Sequence, residues 1–128
     1  MKLQKLKKTY SCYMLTEKSR AKLLALFPPA YKDVIAHHVT VKFGIKDNEP
    51  EPDMPETIQV TGIADDGEKI QGLRVEVNGS STRGDGQTFH ITWSLDRDKG
   101  AKPVDTNGIM HTTKDIEPVD IEVIPCLQ

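Results

Sequence analysis

Two histidines and two threonines stand where they could do acid/base chemistry on a single anion. His38-Val39-Thr40 and His90-Ile91-Thr92 each set an imidazole and a hydroxyl two residues apart. Successive side chains of a strand point to opposite faces, so in a strand each His/Thr pair shares one face. An imidazole with an unperturbed pKa of ~6.5 accepts or donates a proton near neutral pH, and two of them can divide those roles. Cleaving a phosphodiester needs both. One imidazole takes a proton from the attacking water or ribose hydroxyl, and the other protonates the departing oxygen. A threonine hydroxyl about 6.5–7 Å farther along the strand can donate to a non-bridging phosphate oxygen. The scheme calls for no metal and no cofactor. His37, His38, His90 and His111 also lack the short spacings of zinc ligands, and adjacent strand histidines point apart.

The strands that must carry these residues repeat a longer pattern. His37 to Phe43 and Phe89 to Leu95 both alternate apolar and polar residues, with the histidines 52 residues apart. Alternation assigns Val39, Val41 and Phe43, and Ile91, Trp93 and Leu95, to the core. It also puts Lys42 and Ser94 on the histidine face as candidate substrate contacts. His37 is expected on the opposite face from His38, in a structural role. His111-Thr112-Thr113 has the same local motif without alternating apolar flanks, and reads as loop surface. In the first strand Tyr13 continues the face of Leu15 and is expected to be the more buried tyrosine, leaving Tyr10 as a contact candidate. Arg83, in a Gly/Ser-rich loop, could reach a phosphate.

The remaining elements come in a simple order. Lys2 to Lys8 is a basic lead-in, then Thr9 to Leu15 reads as a strand and Glu17 to Phe27 as a helix, N-capped by Thr16 and ended by Pro28-Pro29. After the first histidine strand, Lys46 to Glu56 holds three prolines and reads as a loop. Thr57 to Ile63 and Glu68 to Val77 form a hairpin around Ala64-Asp65-Asp66-Gly67, with Gly72 as a bulge position. Asn78 to Thr88 is a loop into the second histidine strand. Asp96 to Pro118 is a lid or hides an element, with a short helix near Val104 to His111. Val119 to Ile124 is expected as the last strand. The order predicts one domain over 1–128 with an α+β fold of two related sheet-containing halves.

Composition narrows the partners. A chain of 128 residues suits a single domain with a modest core. Seventeen basic against nineteen acidic residues leave a net charge of −2, which argues against extended non-specific nucleic-acid binding and fits a small anion held locally. No apolar run approaches the ~20 residues of a membrane span, and no signal-peptide pattern succeeds the basic start, so a cytoplasmic location is expected. Cys12 and Cys126, outside any C-x-x-C motif, are expected as reduced thiols. Neither a G-x-S-x-G elbow nor a P-loop pattern is present.

The paired His38-Val39-Thr40 and His90-Ile91-Thr92 motifs resemble the signature of the two-histidine (2H) phosphoesterase superfamily. His37 to Gly44 and Lys102 to Asn107 look like its small RNA-repair-like branch. The resemblance implies a bilobal fold with antiparallel sheets and a pseudo-twofold central cleft. It further implies metal-independent hydrolysis or transesterification of cyclic or 2′-5′ phosphodiesters, with catalytic roles for His38 and His90 in an open order and phosphate-binding roles for Thr40 and Thr92. The expected partner is a small nucleotide or RNA end, taken by a monomer. A binding module with the same cleft and no turnover is the alternative.

Overall fold

The computed structural model describes residues 9–128; the basic lead-in Lys2 to Lys8 lies outside them. The strands are β1 (Tyr10–Leu15), β2 (Asp33–Val34), β3 (His38–Phe43), β4 (Ile58–Asp65), β5 (Ile70–Val77), β6 (His90–Leu95), β7 (Lys114–Asp120) and β8 (Val123–Leu127). Helix α1 spans Glu17–Leu26 and the one-turn α2 spans Thr106–Ile109. The protein is α+β. The strands form one curled sheet in the order β7-β4-β5-β6-β3-β1-β8, each pairing antiparallel, with β2 beside β6. The two histidine strands, far apart in sequence, are therefore neighbours near the middle.

Local chemistry sets the elements that hold this sheet. Thr16 accepts the Ser19 backbone N–H at 3.1 Å and so caps α1. Leu23 of α1 is fully buried, with Leu24 and Phe27 packed on the same core. In the β4–β5 turn the Asp66 carboxylate accepts backbone N–H groups of Glu68, Lys69 and Ile70 at 2.8, 2.8 and 3.1 Å. Gly67 takes a φ of 74° there, which a residue without Cβ adopts at no steric cost. Val39, Ile91, Trp93, Leu73, Val75 and Val60 are all fully buried on one face of the sheet. The histidines are left on the other face.

The C-terminal region agrees with one expectation and departs from two. The Asp96 to Pro118 stretch holds the short helix expected near Val104 to His111, as helical turns from Pro103 to Thr112, but it also holds the start of β7, and the single last strand becomes two, β7 and β8. Pro118 and Pro125 obscure these two strands. Proline cannot donate to a ladder and is tolerated on edge strands, which is where β7 and β8 lie. Cys12 and Cys126 are not reduced thiols. The register of β1 with β8 sets them directly opposite, Cα atoms 5.3 Å apart, and they are disulfide-bonded.

Candidate active site

The site is built on the seam between β3 and β6. Their ladder consists of one antiparallel pair, Val39 with Ile91. An antiparallel pair has a local twofold axis, so His38 falls beside Thr92 and Thr40 beside His90. All four line one cleft of about 360 Å³, together with Tyr10, Arg83 and Phe43 and with Pro103, Val104 and Asn107 from the turns before and within α2. Larger recesses of about 420 and 550 Å³ lie elsewhere and contain no histidine. Chemistry, and not size, singles out the cleft.

Each histidine strand is interrupted just after its threonine. β1 pairs Cys12 with Thr40 but Ser11 with Lys42, skipping Val41. β5 pairs Gly72 with Thr92 but Gln71 with Ser94, skipping Trp93. One extra residue inverts the alternation beyond it. Three expectations change in consequence. Lys42 leaves the histidine face and pairs with Glu49 at 2.8 Å, outside the cleft. Ser94 is fully buried, donating to Gln71 Oε1 at 2.7 Å and accepting from the Tyr31 backbone N–H at 3.2 Å. Phe43, expected in the core, is 54% exposed and lines the cleft beside Tyr10, ring centroids 5.7 Å apart. Trp93 stays fully buried, its indole N–H donating to the Phe27 carbonyl at 2.7 Å.

The two imidazoles have different partners. His90 Nδ1 lies 2.7 Å from the Thr88 backbone carbonyl. A carbonyl only accepts, so Nδ1 carries the proton and Nε2 of the neutral ring keeps its lone pair. Burial pushes the His90 pKa down and the Arg83 charge acts the same way, against the Thr88 carbonyl and Asp85. His38 stacks on Tyr10, centroids 5.2 Å apart and planes 24° apart. Burial, then the proximity of His37 and His90, lowers its pKa to about 4. His37 does not point away. It precedes β3, comes directly after Ala36 at a φ of 44°, and brings its Nδ1 to 2.9 Å from His38 Nδ1.

Around these rings the cleft is held by Arg83 and by groups outside the repeated strand pattern. Arg83 is 4% exposed, bidentate to Asp85 at 2.9 and 2.9 Å, with its guanidinium 5.3 Å from the Phe43 ring centroid. Thr92 Oγ1 meets Thr106 Oγ1 at 2.8 Å, and Thr106, fully buried, donates to the Pro103 carbonyl at 2.8 Å. Gly72 makes room for that contact: a Cβ there would come within 2.6 Å of Thr106 Cγ2. The irregularity expected at Gly72 thus sits across the ladder, at Trp93. Asn107 donates to the Val104 carbonyl at 3.1 Å, while its Oδ1 is buried without a partner among the described residues. His111 is exposed on a helical turn and does not reach the cleft.

Among the described residues, no three His, Cys, Asp or Glu side chains are grouped to hold a metal ion. The described helices include none long and apolar enough to cross a membrane. What the arrangement offers an occupant is two imidazoles, two hydroxyls, a buried guanidinium and two aromatic rings in one concavity. Comparisons of the chain with protein-family models, curated proteins and solved structures give no match.

Proposed function

We propose that the chain is a metal-independent phosphodiesterase acting on a cyclic or 2′-5′ phosphodiester of a nucleotide, oligonucleotide or RNA end. The observation that carries this reading is the convergence of His38, Thr40, His90 and Thr92 on one cleft about a local twofold axis. Near-symmetric acid/base pairs suit a reaction in which one oxygen enters phosphorus as another leaves. The Nδ1–H of His90, tied to the Thr88 carbonyl, favours a base at Nε2. Thr40 and Thr92 bind the non-bridging oxygens, Arg83, paired with Asp85, lines the wall beside them, and Tyr10 and Phe43 offer ring faces to a base or ribose. In this reading the two sides of the β3/β6 seam are the related halves of a bilobal fold, and a monomer does the work. The Cys12–Cys126 bond belongs with an oxidising compartment and weighs against the cytoplasmic location expected from sequence.

One feature favours a second reading. His38, with a pKa of about 4, is uncharged at neutral pH, which would suit a cleft that binds a phosphodiester without turning it over. A panel of 2′,3′-cyclic nucleotides, 2′-5′ oligonucleotides, cyclic oligonucleotides and cyclic-phosphate RNA ends, assayed in EDTA, separates the two. Product from at least one class, dependent on His38 and His90, is expected. Saturable binding with no product from any class would favour the binding module.

A further inference from the structure

The short distance between His37 and His38 bears on how the proposed site obtains its acid, and the role assigned to His37 on that basis rests on the phosphodiesterase reading. A neutral imidazole is a poor acid, because losing its remaining N–H leaves an imidazolate. Burial keeps His38 neutral at physiological pH, so His38 alone could not protonate a ribose oxygen efficiently. Its Nδ1, however, is 2.9 Å from Nδ1 of His37, an exposed residue that can exchange protons with solvent. His37 can donate through Nδ1 as an imidazolium or as the Nδ1–H tautomer, and can accept in one tautomer alone. His37 is exposed and His38 half-buried, so a proton entering the pair from solvent meets His37 first. The other groups near these rings leave His37 as the donor: His90 has its Nδ1 committed to Thr88, and Tyr10 stacks through its ring face.

We propose that His37 is a positioning and proton-relay residue that holds His38 in the Nε2–H tautomer, making His38 the general acid and His90 the general base. In the step, His90 Nε2 takes a proton from water as the water oxygen bonds to phosphorus. The bond from phosphorus to the ribose oxygen breaks, and that oxygen takes the Nε2 proton of His38. The His37 imidazolium passes its Nδ1 proton to His38 Nδ1, so neither ring becomes anionic. His37 is left neutral; the cycle closes when His38 Nε2 takes a proton from solvent as its Nδ1 proton returns to His37, and His90 releases its proton to solvent.

The test compares wild type, His37→Ala and His37→Gln on two substrates and by ¹⁵N NMR of the imidazoles. A 2′,3′-cyclic nucleotide has a ribose oxygen as leaving group and needs an acid; thymidine 5′-(p-nitrophenyl) phosphate releases nitrophenolate and does not. Both variants are expected to slow the first substrate by about 100-fold and the second by less than about threefold, the signature of lost general-acid catalysis. Glutamine can still donate to His38 Nδ1, so the NMR should show His38 protonated at Nε2 in wild type and in His37→Gln. Equal losses on both substrates, no loss on the first, or wild-type His38 protonated at Nδ1 would overturn the relay. Failure of wild type to turn over either substrate would count against the phosphodiesterase reading, and the NMR would still decide where the proton sits.

Discussion

The two His-x-Thr strands bring the same residues into different surroundings. On β6, His90 is fixed by a backbone carbonyl, Thr92 is bonded to Thr106, and both sit in the interior of the sheet beside β5. On β3, His38 leans on side chains, the exposed His37 and the ring of Tyr10, and the strand behind it is stapled to the C-terminal edge by a disulfide. A local twofold axis can thus repeat a motif without repeating its chemistry. The backbone-tied ring is suited to one fixed tautomer, and the side-chain-tied ring to exchange of a proton with solvent.

Perturbing one side at a time sharpens that contrast. On the β3 side, Cys12→Ser or mild reduction removes the covalent staple between β1 and β8 and is expected to cost about 2–4 kcal/mol of unfolding free energy, since the bond closes a long loop. Chemical denaturation with and without reductant measures it, and the β6 side should keep the His90–Thr88 hydrogen bond. On the β6 side, Gly72→Val pushes a side chain into Thr106 and is expected to cost about 1–3 kcal/mol by overpacking. Its turnover loss should be matched by Thr106→Val, because both act through Thr92.

The half-buried His38 gives a pH dependence of definite sign. His38 is harder to protonate folded, at about 4, than unfolded, at ~6.5, so the unfolded chain binds more protons between those values. Stability is therefore full above the unfolded pKa and falls as pH drops through that window, by roughly 1–3 kcal/mol. Thermal unfolding across pH should show the decline in wild type and a shallower one in His38→Gln. Smaller effects separate the threonines. Thr92 must give up its Thr106 bond to reach a phosphate, whereas Thr40 makes no such bond among the described residues. Thr40→Val is thus expected to slow turnover by roughly tenfold and Thr92→Val by less, on the scale of one hydrogen bond to a charged group. Lys42→Ala, off the cleft, should change turnover by less than about twofold, as expected of a surface ion pair.

Much of this organisation is legible in the residue order. The strands at Tyr10, His38 and His90, helix α1, the Asp66-Gly67 hairpin and the helical turns after Pro103 all arise from capping residues, alternation and turn chemistry. The grouping of His38, Thr40, His90 and Thr92 comes from the same alternation. The extra residues at Val41 and Trp93 do not. A strand with one inserted residue keeps its composition and reverses its faces, so alternation puts Lys42, Ser94 and Phe43 each on the wrong side. His37 escapes the alternation because the strand begins one residue after it, behind the positive φ of Ala36. The disulfide and the Thr92–Thr106 contact depend on which strands lie side by side, and a single sequence does not encode that pairing in any short-range pattern.

The division of labour between the two rings can be measured directly through turnover of a 2′,3′-cyclic nucleotide in EDTA by wild type, His38→Ala and His90→Ala. Wild type is predicted to release product in the chelator, with each variant slower by about 100-fold or more, the scale of one lost acid or base. Product formation at the wild-type rate by either variant would contradict the account.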